Sequence, residues 1–172
     1  PSALPLVPTL PDPLVARDGT VIKTRNQWES MRRPDLLALF QHYMYGTLPP
    51  RPAQVSGKLE RADRNALGGK ATLKEITVRF GPPALPPLHL MLIVPNRRPV
   101  PAPVVLSMNY FGNHTLLRDP AILLSTNWMP ERGTGVVNNL STDASRGTWA
   151  DIWRIEYLIE RGYAVATFYN GD

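Results

Sequence analysis

The chain has 172 residues with 19 Lys and Arg against 14 Asp and Glu, a formal charge of +5 and a hydrophobic content of 43%. That length suits one domain burying about 70% of its unfolded surface, and the composition is globular rather than disordered. The basic residues are scattered, Arg32–Arg33 and Arg97–Arg98 being the densest pairs, which excludes a nucleic-acid stripe and reads as solvated surface charge.

Without cysteine there is no disulfide framework, thiolate metal site or cysteine nucleophile. No apolar run approaches the ~20 residues of a membrane helix. The opening PSALPLVP lacks an initiator Met, which suits a processed secreted protein or a trimmed chain equally well. The 19 prolines cluster at Pro1–Pro13, Pro49–Pro52, Pro82–Pro87 and Pro95–Pro103, as loops between the strands of a secreted-type enzyme.

In chain order, Pro1–Arg17 is expected to be extended and Asp18-Gly19 to turn. Thr24 with Gln27 has the form of a capping box, opening a short helix that bears Trp28 and Met31. Pro34 suits the first turn of a second helix, on which Leu36, Leu37, Phe40 and Met44 recur at helical spacing before Gly46 and Pro49 end it. His42 in this helix reads as packed or surface.

The period then changes. Val55–Asp63, Lys74–Phe80 and Leu88–Val94 read as antiparallel strands, with Asn65–Gly69 turning between the first two. His89, inside the third, is read as structural. Val104–Met108 is an unbroken apolar run, as in a strand buried on both faces, and Ser107 within it is read as core. From Gly112 to Thr148 there is little periodicity, apart from one expected helical turn at Asp119–Leu124. A stretch of that length in a compact domain is usually functional. Thr148–Asp151 has the form of a second capping box, opening a helix with Ile152, Ile155 and Ile159 on one stripe and Gly162 at its end. Tyr163–Phe168 is the next apolar strand, tipped by Tyr169–Asp172. Antiparallel strands followed by strand, loop, helix and strand make the opening half of a mixed α/β sheet.

The chemistry begins with negatives. There is no metal-protease helix, phosphate loop or dinucleotide fingerprint, and none of the serines stands in a G-x-S-x-G elbow. Ser141 and Ser145 have no histidine nearby in sequence. His114 with Asp119 makes too small a set for a metal site. The positive feature is the loop Asn109–Thr115 at the carboxyl end of Val104–Met108, where open α/β sheets bind ligands. Gly112 among polar neighbours allows a close backbone approach, or else the loop is a tight turn whose Asn and His side chains satisfy local backbone groups.

Four segments resemble the amino-terminal half of the glucuronoyl esterases, carbohydrate esterase family 15. They are Leu10–Gly46 with its paired Arg, the segment PVVLSMNYFGNHT, Arg146-Gly147 before Trp149, and Leu158–Thr167 followed by Tyr169–Asp172. Ser125–Asp143 resembles the insertions that bacterial members carry near the active site. The resemblance implies the amino-terminal half of an α/β-hydrolase three-layer sandwich. Residues 1–172 are then part of a single domain, with a leading helical segment at 1–53 and the first strands, active-site loops and crossover helix at 54–172. It implies a secreted or periplasmic serine esterase for (4-O-methyl-)glucuronoyl esters linking xylan to lignin alcohols, with no cofactor, metal, nucleic acid or membrane partner.

The family's Ser, His and acid lie downstream of the segment that Tyr169–Asp172 matches, so no catalytic residue is carried over. Asn109, Phe111, Gly112, Asn113, His114 and Asp172 are expected to support a substrate pocket or oxyanion loop. The resemblance also places the strand ending at Phe168 between the strands Leu88–Val94 and Val104–Met108. That leaves Val104–Met108 as an apolar edge, so the 172 residues are expected to need the carboxyl-terminal remainder of the same protein to complete the sheet.

Two other readings stand beside this one: another polysaccharide-directed hydrolase such as an acetyl-xylan esterase, or a carbohydrate-binding module using Trp128, Trp149 and Trp153. Asn113 and Asn139 begin glycosylation sequons, which matter only in a eukaryotic secretory route. The absence of cysteine favours a bacterial member.

Overall fold

A computed structural model describes residues 8–82 and 84–172, which fall into two compact units divided between Arg51 and Pro52. The expectation for residues 1–7 lies outside the described residues.

In the first unit, Asp18-Gly19 turns the chain so that Val15 bridges Val21, with Gly19 at φ +85°. The Thr24–Gln27 capping box forms as expected. The two helices expected after it are one continuous helical run. Its α-helical stretches Arg25–Gln27 and Arg33–Phe40 alternate with wider π turns at Trp28–Arg32 and Gln41–Tyr45. Pro34 lies inside the run because the amide of Arg33 reaches back to the Trp28 carbonyl. That widened turn accommodates a residue that has no N–H to donate and a ring that crowds the preceding turn. Gly46, at φ +72°, ends it. Arg32 is buried rather than solvated: its guanidinium donates to the Pro13 carbonyl at 2.9 Å and to Asp35 at 2.6 Å, which satisfies the charge.

The second unit is a five-stranded sheet. Its strands are β1 (Val55–Asn65), β2 (Ala71–Phe80), β3 (Leu88–Pro95), β4 (Val104–Asn109) and β7 (Ala164–Tyr169), in the order β1-β2-β3-β7-β4. A two-stranded hairpin, β5 (Val136–Val137) with β6 (Leu140–Ser141), sits in the long loop. β1, β2, β3 and β7 pair antiparallel in turn, and β7 pairs parallel with β4, so the chain crosses over between β4 and β7 as expected. Leu73, Met91, Ile93 and Val165 project from one face onto Leu116, Ile122, Ile155 and Ile159. Each such buried side chain stabilises the fold by about 1.5–3 kcal/mol.

Four expectations need correction. β4 is not buried on both faces: Val104, Leu106 and Met108 are at least half exposed, and among the described residues the strand pairs only with β7. An apolar run reads alike in sequence whether or not its neighbours are present. The expected uncovered apolar edge is what forms. Ser107 is likewise exposed rather than core, its hydroxyl turned to the Met108 carbonyl. The helix after Thr148 has no capping box; the Thr148 hydroxyl donates back to Ser145, and Arg154 in a left-handed conformation (φ +46°) splits the helix into Ala150–Trp153 and Ile155–Glu160. The break rotates Ile152 off the stripe, leaving it exposed while Ile155 and Ile159 are buried. Asp119–Leu124 is a turn, not a helix, closed by the Asp119 carboxylate accepting from the Ala121 amide at 2.8 Å.

Candidate functional site

Residues at the carboxyl ends of β4 and β7 converge with the start of β3. Asn109, the last residue of β4, is buried and organises the loop that follows. Its side-chain oxygen accepts from the Gly112 amide at 2.7 Å. Its side-chain nitrogen donates to Asn113 at 2.7 Å and to the Thr167 hydroxyl on β7 at 3.1 Å. Asn113 in turn donates to the His89 carbonyl on β3 at 2.8 Å. Asn109 and Asn113 together thus tie three strands to the loop backbone.

Gly112 is required here. Its φ of +88° is costly for other residues, and a Cβ would lie 2.6 Å from the His114 ring and 2.9 Å from Met129. Its amide is engaged by Asn109, and among the described residues the loop amides of Tyr110, Phe111, Asn113 and His114 meet no acceptor. The Phe111 ring stacks on Trp149 with centroids 5.2 Å apart.

His114 is fully buried, with Nε2 2.8 Å from the Ser145 hydroxyl. Thirty-one residues separate the two in sequence, so nothing in the local pattern announces the pair. The Ser145 hydroxyl donates its proton to the Thr142 carbonyl, so His114 Nε2 carries the donated hydrogen and Nδ1 is left without a partner. A serine whose proton is directed away from the imidazole, both groups sealed from solvent, is not an activated nucleophile. Burial, reinforced by the Arg146 charge and opposed by Asp143, pushes His114 down to about 4.

Arg146 clamps the long loop. It donates to the Ile122 carbonyl at 2.7 Å, the Asp119 carbonyl at 3.2 Å and the Asp143 carboxylate at 2.7 Å. The next residues dock on the Gly112 loop, with the Gly147 amide on the His114 carbonyl and the Trp149 amide on the Thr115 carbonyl. Asp119 is held by Arg61 at 3.2 Å, and among the described residues no group of three or more His, Asp or Glu is placed to hold a metal.

Asp172, at the tip of β7, accepts from the His89 amide at 2.8 Å and from Asn127 at 3.1 Å, and lies 3.3 Å from His89 Nδ1. Its side chain is only 4% exposed, against 41% for His89. His89 therefore meets a carboxylate that the strand pattern gave no reason to expect. The Asn113 and Asn139 side chains both donate to carbonyls, so a glycan at either sequon would sacrifice a hydrogen bond.

No family model matches this chain. It is 39% identical over 166 residues to carbohydrate esterase MZ0003, from an unknown prokaryotic organism, covering 95% of this chain and 38% of that protein. It is 27% identical over 162 residues to a 4-O-methyl-glucuronoyl methylesterase of Cerrena unicolor, covering 88% of this chain and 32% of that one. Among solved structures, a promiscuous CE15 esterase from a marine bacterial metagenome superposes with a TM-score of 0.81 at 37% identity, covering 99% of this chain and 42% of that chain. A glucuronoyl esterase from Solibacter usitatus superposes with a TM-score of 0.80 at 33% identity, over 98% and 42%. The chain thus spans about two fifths or less of the length of these relatives.

Proposed function

Because this chain is related in sequence and fold to the carbohydrate esterases of family 15, we propose that it forms part of a secreted serine-type esterase that cleaves (4-O-methyl-)glucuronoyl esters joining xylan to lignin alcohols. The observation that carries this reading is the near-complete match of the chain to a family 15 carbohydrate esterase and a glucuronoyl esterase of known structure. The Asn109-anchored loop at the end of β4 supports it.

In this reading the nucleophile, base and acid come from the remainder of the protein, which also pairs with the exposed edge of β4. The unengaged amides of the loop then supply donors to the developing oxyanion, and Asn109 holds the loop by fixing Gly112. Preorganised donors of this kind are worth about 3 kcal/mol of barrier each. Trp149 and Trp153 pack against the core, which leaves only Trp128 of the three aromatics for a binding-module reading. Among the described residues no helix is long and apolar enough to cross a membrane.

The test uses the protein carrying these residues together with the segment that supplies the nucleophile, assayed on benzyl glucuronate ester and on acetylated xylan. Preferred hydrolysis of the glucuronate ester is expected. Acetyl release at an equal or higher rate would replace this reading with the acetyl-xylan esterase.

A further inference from the structure

Asn170 is the only asparagine of the chain that is followed by glycine, and the pair forms the turn at the tip of β7. Asparagine is thermolabile because the next backbone nitrogen can attack its side-chain carbonyl. Glycine in that next position removes the Cβ that would crowd the attack and frees the backbone to swing toward the carboxamide.

The fold leaves both reacting groups open. Asn170 and Gly171 are exposed, and among the described residues the Gly171 amide meets no acceptor. The Asn170 carboxamide likewise has no partner among them. Elsewhere the side-chain nitrogens of Asn96, Asn109, Asn113, Asn127 and Asn139 all donate hydrogen bonds, and each of these residues precedes a bulky side chain.

Packing dictates the glycine. A Cβ at position 171 would collide with the Tyr169 ring, which is buried and whose hydroxyl is tied to the Trp128 carbonyl at 2.7 Å. The fixed ring reserves the position for glycine, so the reactive pair is a consequence of the core beside it.

From these observations we propose that Asn170 is a site of spontaneous modification, where the Gly171 nitrogen closes a succinimide whose hydrolysis yields isoaspartate and releases Asp172 from His89. The Gly171 nitrogen gives its proton to hydroxide and bonds to Asn170 Cγ. The Cγ–Nδ2 bond breaks, and the nitrogen takes a proton from water and leaves as ammonia. Water then adds to one of the two ring carbonyls. One opening gives aspartate; the other gives isoaspartate, with the main chain running through the former side chain.

Isoaspartate adds a methylene to the main chain between two pinned points. The Asn170 amide donates to the Asn109 carbonyl at 3.0 Å and the Asp172 amide to the Tyr169 carbonyl at 3.3 Å. It also sets a new carboxylate beside that of Asp172, which accepts from the His89 amide at 2.8 Å and from Asn127 at 3.1 Å. A lengthened turn cannot keep both anchors, and the like charges repel. The inference stands on this turn and not on the esterase reading.

The experiment ages the folded protein carrying this chain at mildly alkaline pH, beside a tryptic digest of the same protein. Peptide mapping and isoaspartyl methyltransferase labelling locate the product, and hydrogen exchange follows the His89 and Asp172 amides. Asn170 is expected to convert in the folded protein, at a rate proportional to hydroxide, while the hydrogen-bonded asparagines stay intact. Both amides should then exchange about fivefold faster or more, the loss of one hydrogen bond. Asn170→Gln, which must close a six-membered ring, should stay unlabelled and keep its protection. An Asn170 that survives in the folded protein while the digest converts would overturn the proposal, as would conversion that leaves both exchange rates unchanged. Ester hydrolysis is no part of the readout, so failure of the esterase reading leaves this result untouched.

Discussion

At the scale of single residues, His114 makes a pH-dependent prediction. Its folded-state value, about 4, lies below its ordinary value of 6.5, so the unfolded chain takes up the proton first as the pH falls. The stabilisation from the neutral, buried ring is complete above 6.5 and is lost on descending toward 4, a change of roughly 3 kcal/mol. Melting temperature followed from pH 7 to 4 should fall over that interval, and less steeply in His114→Asn. A profile identical in the two proteins would show that another group governs it. Gly112→Ala forces a Cβ against His114 and Met129 in a left-handed backbone, and should cost about 2 kcal/mol or more in thermal unfolding. Asn109→Ala frees the Gly112 amide and unties Asn113. In the complete enzyme it should lower kcat about tenfold or more with KM little changed, since the loop's donors matter most in the transition state.

At the scale of elements, β4 controls how the chain behaves by itself. Among the described residues it is an edge strand, with Val104, Leu106 and Met108 exposed on one face beside the unpaired backbone, the form of strand edge that recruits other chains. The 172 residues expressed alone should associate and melt without cooperativity, and Leu106→Lys should suppress that association by placing a charge on the edge. Sedimentation of the two proteins decides it: a wild-type chain that is monomeric and melts cooperatively contradicts the account. The elements also show how far local pattern reaches. The Thr24 cap, the Asp18-Gly19 turn and the strands β1 to β4 and β7 were legible because period, turn chemistry and capping are written in consecutive residues. The π turns around Pro34, the left-handed Arg154 and the exposure of Ser107 were not, because none of them is set by a pattern in consecutive residues. The same limit holds at the site. Asn109 and Gly112 announced a loop, whereas the His114–Ser145 and His89–Asp172 pairs join residues 31 and 83 positions apart.

At the scale of the whole molecule, strand order, loop architecture and relatedness converge on one account. In the proposed function these residues build the early sheet and one wall of an esterase site, and the reacting hydroxyl is supplied by another part of the protein. Three serines near the site have their hydroxyls engaged locally: Ser145 is sealed and donates to the Thr142 carbonyl, Ser141 donates to the Ser125 carbonyl, and Ser107 donates to the Met108 carbonyl. The most direct measurement is covalent labelling of the protein carrying this chain with a fluorophosphonate, followed by mapping of the modified peptide. The account predicts a single labelled serine outside residues 1–172. Stoichiometric labelling of Ser107, Ser141 or Ser145, with loss of activity, would contradict it.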